Sequence, residues 1–276
     1  MDSPLFNKDS NGKFLFIRHG ETIFNSYTTP ENKFEIKTKA EYINSPLSDK
    51  GKEQAKSLNE TVNKFYIEDI YVSPLTRALQ TAYLIFENHP QRENIVIKVH
   101  PWVTETVSGV HDFSYDISER KAEFNMNSKV KFDWSIFDEF FPTKKEQDLN
   151  FLEYIDYFDE QQRHDTFDPI YKAYDEGNKE ELIKNVAYLS RYAVGHGFLR
   201  CETLKAMLQR GNRFKLYLKD KYKDTFNDLN KKVIVVTHSS LCKILTSKKA
   251  YAMKEIPDFP DDSYMMNNCE IISMNI

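Results

Sequence analysis

Apolar positions along this chain follow two rhythms, and the switch between them marks its elements. Four short runs are dense in β-branched and aromatic residues and are bounded by polar or turn-forming ones: Phe14-Leu15-Phe16-Ile17, Asp69-Ile70-Tyr71-Val72-Ser73, Ile95-Val96-Ile97-Lys98-Val99 and Val233-Ile234-Val235-Val236. Each predicts a buried strand, and Glu270-Ile271-Ile272-Ser273-Met274 predicts a short closing one. Between the strands the apolar spacing lengthens to that of a helix. Ala55, Leu58, Val62 and Phe65 form one stripe, in a helix that starts near Pro46 with Ser48 as its N-cap. Leu75 to Phe86 gives a second helix. Glu202 to about Tyr222, with Leu204, Met207, Leu208, Phe214 and Leu218, gives a third. Leu241 to Ser247 gives a fourth, with Ser239 and Ser240 placed to cap it. Asn25 to Ser45 is polar and aromatic without a period and predicts a long loop.

Strands that alternate with helices predict an α/β fold of three layers, α/β/α, whose central sheet is largely parallel and covered on both faces. After the third strand the pattern changes. Residues 106–200 form a long, aromatic, mostly helical insertion, punctuated by Pro142 and Pro169, which predicts a cap. There is no internal repeat and no low-complexity linker, so residues 1–276 are expected to form a single α/β domain that includes the insertion.

Composition narrows the choice of partners. The chain has 276 residues, 40% of them hydrophobic and 14% aromatic, which is enough for a sizeable core. Its net charge of −4 argues against a general polyanion binder. Residues 133–160 hold nine Asp or Glu against only Lys144 and Lys145, so the insertion repels nucleic acid and highly phosphorylated inositols. The aromatics there (Trp134, Phe137, Phe140, Phe141, Phe151, Phe158) fit the packed face of a cap better than a base-stacking platform. Cys201, Cys242 and Cys269 have no paired spacing, so neither a zinc site nor a disulfide framework is expected. Met1 to Gly12 is polar and unlike a signal peptide, no run reaches membrane-spanning length, and neither end has a lipidation motif. A cytoplasmic protein without membrane or nucleic-acid partners is the expectation.

The candidate chemistry sits where strands end. Arg18 and His19 follow the first strand, and Gly20 lets the backbone turn beside a ligand. Arg77 lies in the first turn of the helix after the second strand, where its charge is unfavourable unless an anion is also present. Glu105 follows the third strand and His238 the central one. In open α/β sheets these strand ends share one edge, which is where ligands bind. Two arginines, two histidines and a carboxylic acid suit phosphoryl transfer. The guanidinium groups bind phosphate oxygens and spread over transition-state charge. One neutral histidine can act as nucleophile, and the acid can protonate the leaving oxygen.

Taken in order, four groups of residues resemble the histidine phosphatase superfamily, also called phosphoglycerate mutase-like. They are Arg18-His19-Gly20-Glu21-Thr22 with Asn25; Pro46-Leu47-Ser48 with Gly51 and Gln54-Ala55; Ser73-Pro74-Leu75-Thr76-Arg77-Ala78 with Gln80-Thr81-Ala82; and Thr237-His238. The resemblance extends to Glu202 with Arg210 and to Asn268-Cys269-Glu270. It implies that His19 becomes a phosphohistidine, that Arg18, Arg77 and His238 bind the transferring group, and that Glu105 is the proton donor. It further implies that Asn25 lines the pocket, with Glu21 and Thr22 also on the substrate side and Ser239 offering its backbone N–H. Glu21 is the runner-up acid, with an orienting role the better fit beside the nucleophile. No metal or other cofactor is implied.

The expected function is therefore a metal-independent phosphatase of the histidine acid type, hydrolysing a small phosphomonoester; a phosphoprotein substrate stays open. Mutases of the superfamily follow the acid with a tyrosine- and glycine-rich stretch ending in asparagine-lysine. Here Thr106-Val107-Ser108-Gly109-Val110-His111-Asp112 departs from that pattern. Phe132-Asp133-Trp134-Ser135 with Phe140-Phe141-Pro142 resembles the insertion of phosphatase-like members from plants and fungi. The alternatives are a mutase-type phosphotransferase and a catalytically silent interaction protein on the same fold. Among the other histidines, His89, His100, His164 and His196 read as structural or loop residues, and His111 as a candidate substrate contact.

Overall fold

The computed structural model describes residues 5–276. Seven strands form one sheet: β1 (Phe6–Asn7), β2 (Phe14–Arg18), β3 (Tyr66–Val72), β4 (Val96–Val99), β5 (Lys131–Asp133), β6 (Lys231–Thr237) and β7 (Ile271–Met274). Their order is β1-β7-β2-β6-β3-β4-β5. From β2 through β6, β3 and β4 to β5 every pairing is parallel, and only β7 runs against the others, pairing antiparallel with β2 and with the edge strand β1. The α/β fold and largely parallel sheet expected from the alternation are therefore present.

The unbroken apolar runs are explained by burial on both faces. Leu15, Ile17, Ile70, Val72, Ile97, Val99, Ile234 and Val236 point to one side and pack against the helix Thr76–Phe86 through Ala78, Leu79, Ala82 and Ile85. Phe14, Phe16, Tyr71, Val233, Val235 and Ile272 point to the other, against Met207, Phe214 and Leu218 of Leu204–Lys221 and Leu241, Ile244 and Leu245 of Ser239–Leu245. A third core belongs to the insertion. There Phe113, Phe151, Phe158 and Phe167 pack with Ile170, Val186 and Leu189 between the helices Glu160–Asp175 and Lys179–Gly195.

Several elements differ from the sequence expectation. Residues 25–45 are not a plain loop. They lie within or between short helical turns, Ile23–Tyr27, Lys33–Ile36 and Ala40–Tyr42, which are too brief for a periodic stripe to register. The helix after Ser48 breaks at Leu58 into Asp49–Ser57 and Asn59–Val62. The insertion is mostly helical as expected, and Lys131–Asp133 within it adds an unpredicted strand, β5, to the sheet edge. Pro169 lies inside the helix Glu160–Asp175 and does not end it. The carbonyl of Pro169 takes a hydrogen bond from the Asn185 amide of the neighbouring helix at 3.0 Å. Ser239 begins the last long helix, with His238 as its N-cap, so neither serine caps it. The packed-face reading of the insertion aromatics holds for Trp134, Phe137, Phe141, Phe151 and Phe158, whereas Phe140 is exposed. No helix among the described residues is long and apolar enough to cross a membrane.

Ser48 caps its helix as expected, accepting the Gly51 N–H at 3.0 Å. That contact explains the glycine. A Cβ on Gly51 would lie 1.9 Å from the carbonyl oxygen of Glu21, which is backbone and cannot swing aside. Gly51→Ala should therefore destabilise the protein by about 3 kcal/mol, the upper part of the overpacking range. That corresponds to a fall in Tm of roughly 6–12 °C for a chain of this size. Thermal unfolding followed by circular dichroism checks it, and an unchanged Tm would show that the two segments can separate freely.

Candidate active site

Backbone bonds align the strand ends before any side chain is considered. The N–H of His19 donates to Thr237 C=O (3.0 Å), Ser73 N–H to Val236 C=O (3.1 Å) and His100 N–H to Val72 C=O (2.9 Å). The C-terminal ends of β2, β6, β3 and β4 thus meet at one level, and the residues after them converge. Gly20 follows directly. Its N–H bonds Thr81 Oγ1 at 3.1 Å, and a Cβ there would lie 2.5 Å from Gly51 C=O.

His19 is buried, and its protonation pattern is fixed by what it touches. Nδ1 lies 2.7 Å from the carbonyl oxygen of Gly20, which can only accept, so Nδ1 carries the proton. Nε2 accepts from Arg77 Nε–H at 3.3 Å, so its lone pair is on that side. Burial first, then the Arg77 and Arg18 charges, hold the imidazole pKa well below its ordinary value, and the ring stays neutral. His238 lies beside it, with ring centroids 5.1 Å apart, and its Nε2 bonds Ser73 Oγ at 2.7 Å. Burial and Arg77 keep it neutral as well. His238 Nδ1 and Arg18 Nε are buried polar atoms without a partner among the described residues. Arg18 is anchored instead through Nη1, which donates to Met266 C=O at 2.7 Å.

Arg77 is held from three sides. Besides His19 it donates through Nη1 to His111 C=O (2.6 Å) and through Nη2 to Asp112 Oδ1 (2.8 Å). Each terminal nitrogen has a second N–H beyond these bonds. Both ions are almost completely buried. Asp112 Oδ2 takes the Ser108 N–H (3.0 Å) and hydroxyl (2.8 Å) and lies 3.4 Å from His111 Nε2. The sequence reading did not single out Asp112 or Ser73. The signal for Asp112 was available, because a buried arginine needs a carboxylate and His111-Asp112 follows shortly after Glu105.

Glu105 is carried to the same place by the turn Pro101–Val103. Its Oε1 takes the Thr106 N–H at 2.9 Å and Oε2 takes the Ser240 N–H at 3.2 Å. Burial, helped by the Asp112 charge, raises its pKa against the pull of Arg77 and the two amides, which favours the protonated acid. Arg210 braces this segment. It pairs with Glu202 (3.0 and 2.9 Å) and donates to the carbonyls of Trp102 (2.8 Å) and Thr104 (2.9 Å). Glu21, the other acid considered, is turned toward Ser48 (3.0 Å) and Lys50 (2.8 Å), and the Lys50 bond pulls its pKa down. Of the two, only Glu105 has the environment of a proton donor.

The remaining expected site residues lie at the margin. Thr22 and Asn25 form a capping box, Thr22 Oγ1 accepting Asn25 N–H (3.0 Å) and Asn25 Oδ1 accepting Thr22 N–H (3.2 Å). Ser239 donates its hydroxyl to Met265 Sδ at 2.6 Å. The His111 ring stacks on Phe24 with centroids 3.7 Å apart, and burial lowers its pKa to about 4, so its carbonyl and not its ring serves Arg77. His89 and His100 are buried, and His164 and His196 are exposed on or at the end of helices.

A family model described as the histidine phosphatase superfamily (branch 1) matches residues 14–130, a span that contains Arg18, His19, Arg77 and Glu105 and stops short of His238. The chain thus carries the pattern of that superfamily over this span, which supports phosphoryl transfer or hydrolysis as its general chemistry. No curated protein sequence matches the chain. Among solved structures it is similar to the ecdysone phosphate phosphatase from Bombix mori, with 16% identity over 94% of this chain and 86% of that one and a TM-score of 0.45. It is similar to the mycobacterial glucosyl-3-phosphoglycerate phosphatase, with 16% identity, 94% and 90% covered and a TM-score of 0.45. It is also similar to the phosphoglycerate mutase from Bacillus anthracis, with 17% identity, 96% and 93% covered and a TM-score of 0.43.

Proposed function

We propose that this protein is a metal-independent phosphomonoester hydrolase working through a phosphohistidine on His19. The observation that supports this most is the locked neutral imidazole. A carbonyl holds the proton on Nδ1, so the Nε2 lone pair faces the guanidinium of Arg77. Arg77 and His238 lie beside that ring, and the Nδ1 of His238 and Nε of Arg18 have no partner among the described residues. In the first step Nε2 forms a bond to phosphorus while the ester P–O bond breaks, and protonated Glu105 gives its proton to the leaving oxygen. The arginines and the neutral His238 bind the equatorial oxygens through both steps. In the second step water attacks phosphorus, the N–P bond breaks, and the Glu105 carboxylate takes the water's proton, which restores the acid. Hydrolysis is favoured over transfer to a second substrate because the mutase stretch after the acid is replaced here by residues 106–112, two of which hold Arg77.

The test is a trapping experiment. The native protein is mixed with an aryl phosphate in excess chelator and quenched in alkali, which preserves phosphohistidine, and its peptides are analysed by mass spectrometry. Phosphate on the peptide containing His19, with release that needs no bisphosphate primer, is the expected result. Phosphate on another residue, or turnover lost on chelation, would overturn the reading.

A further inference from the structure

Glu105 owes its place to the turn before it, Pro101–Val103, and each carbonyl from Pro101 to Thr104 is held by a side chain of another element. Arg210 Nη1, from the helix Leu204–Lys221, donates to Trp102 C=O at 2.8 Å and to Thr104 C=O at 2.9 Å. Thr237 Oγ1, at the end of β6, donates to Val103 C=O at 2.6 Å. The remaining carbonyl, that of Pro101, takes the Tyr154 hydroxyl at 3.2 Å. Of these three donors only Tyr154 belongs to the insertion. It ends the turn Asn150–Tyr154, whose Phe151 and Leu152 are buried in the insertion's own core.

Tyr154 also reaches Arg210 itself. The guanidinium carbon lies 5.1 Å from the centroid of the Tyr154 ring, within the range of a cation–π contact. Glu202 holds the edge of the same guanidinium, with bonds of 3.0 Å from Nε and 2.9 Å from Nη2. Arg210 is buried, so both contacts act with little screening. The effect reaches Glu105. Its two oxygens accept the Thr106 N–H at 2.9 Å and the Ser240 N–H at 3.2 Å. Thr106 moves with the turn, whereas Ser240 belongs to the helix Ser239–Leu245, so both bonds persist only while turn and helix keep their spacing. A side chain that fixes the turn fixes where the acid offers its proton.

We propose that Tyr154 is a positioning residue through which the insertion aims Glu105 at the leaving oxygen. This rests on the phosphatase reading of the same site, in which Glu105 is the proton donor. Tyr154 acts through Pro101 and Arg210, and the insertion thereby takes part in proton donation without supplying a catalytic residue.

The experiment uses two esters that differ in their need for a proton. 4-Nitrophenyl phosphate releases a stable phenolate and leaves with little help, whereas propyl phosphate releases an alkoxide and depends on the acid. kcat/KM is measured on both for the native protein, Tyr154→Phe, Tyr154→Leu, Glu105→Gln and the double variant Tyr154→Leu with Glu105→Gln. Tyr154→Phe removes only the hydroxyl and should lower the propyl phosphate value by roughly 3- to 10-fold, the worth of one neutral hydrogen bond. Tyr154→Leu removes the ring as well and should lower it by about 100-fold, as for a displacement near 1 Å. The 4-nitrophenyl phosphate value should stay within about 3-fold of native in both. Without the acid, in Glu105→Gln, adding Tyr154→Leu should cause no further loss on propyl phosphate. Equal losses on the two esters, a further loss without the acid, or native values in Tyr154→Leu would overturn the proposal. A native protein that hydrolyses neither ester would refute the phosphatase reading, and amide hydrogen exchange then decides whether Tyr154 positions Glu105. The Thr106 and Ser240 N–H groups should lose protection in Tyr154→Leu while the β6 amides keep theirs. No loss at those two groups, or a loss shared by β6, would overturn the proposal.

Discussion

His19→Ala should reduce phosphate release to background, a loss on the order of 10⁶-fold, as expected when a covalent catalyst loses its nucleophile. The reason lies in how the site is arranged. Arg18, Arg77, Glu105 and His238 would still bind and polarise a phosphate ester, but none of them is a neutral ring nitrogen presented as His19 Nε2 is. His238 is the nearest substitute, and its Nε2 is already bonded to Ser73. The variant should fold, because among the described residues the His19 side chain makes hydrogen bonds only to Gly20 and Arg77, and Arg77 keeps its bonds to Asp112 and His111. Steady-state release measured in chelator, beside a circular dichroism spectrum, checks both statements. If native-like release survived in a folded His19→Ala, either the nucleophile would be elsewhere or a contaminant would be responsible.

Asp112→Asn should produce the second-largest loss, although Asp112 does not touch the reacting atoms. It is a positioning residue. Its carboxylate holds Arg77 in a fully buried pair and, by its charge, helps keep Glu105 protonated. Asparagine can accept one bond from Arg77 but leaves the guanidinium charge uncompensated, and breaking such a pair costs about 3–5 kcal/mol of stability. A displacement of Arg77 near 1 Å lowers kcat by about 10²-fold. The pH profile separates this role from simple destabilisation. On the proposed mechanism Glu105 must be protonated for the first step, so activity should fall as pH rises through its pKa. Removing the Asp112 charge lowers that pKa, and the fall should move to lower pH. An Asp112→Asn variant with reduced stability but an unmoved alkaline limb would restrict Asp112 to a structural role.

Much of this site was legible in the sequence because it is built from local grammar. Each of Arg18, His19, Arg77, Glu105 and His238 stands just past an apolar run, and a parallel sheet covered on both faces places all such points along one edge. Ser48 was legible for the same reason, since a cap leaves its mark within a few residues. The short helical turns of residues 25–45 and the three-residue strand β5 were not, because neither is long enough to show a period. Pro169 shows the opposite failure, a local breaker that the helix Glu160–Asp175 runs straight through.

The sequence by itself determined the sheet, its two covered faces and the residue types gathered at its edge, since periodicity and turn chemistry act between neighbours in the chain. Only the tertiary structure decided which groups pair there. Asp112 takes Arg77 from 35 positions away, and Lys50 takes Glu21 and leaves Glu105 as the buried acid. Those choices turn on burial and on which charge is already compensated, and both are properties of the packed site that no stretch of sequence carries alone.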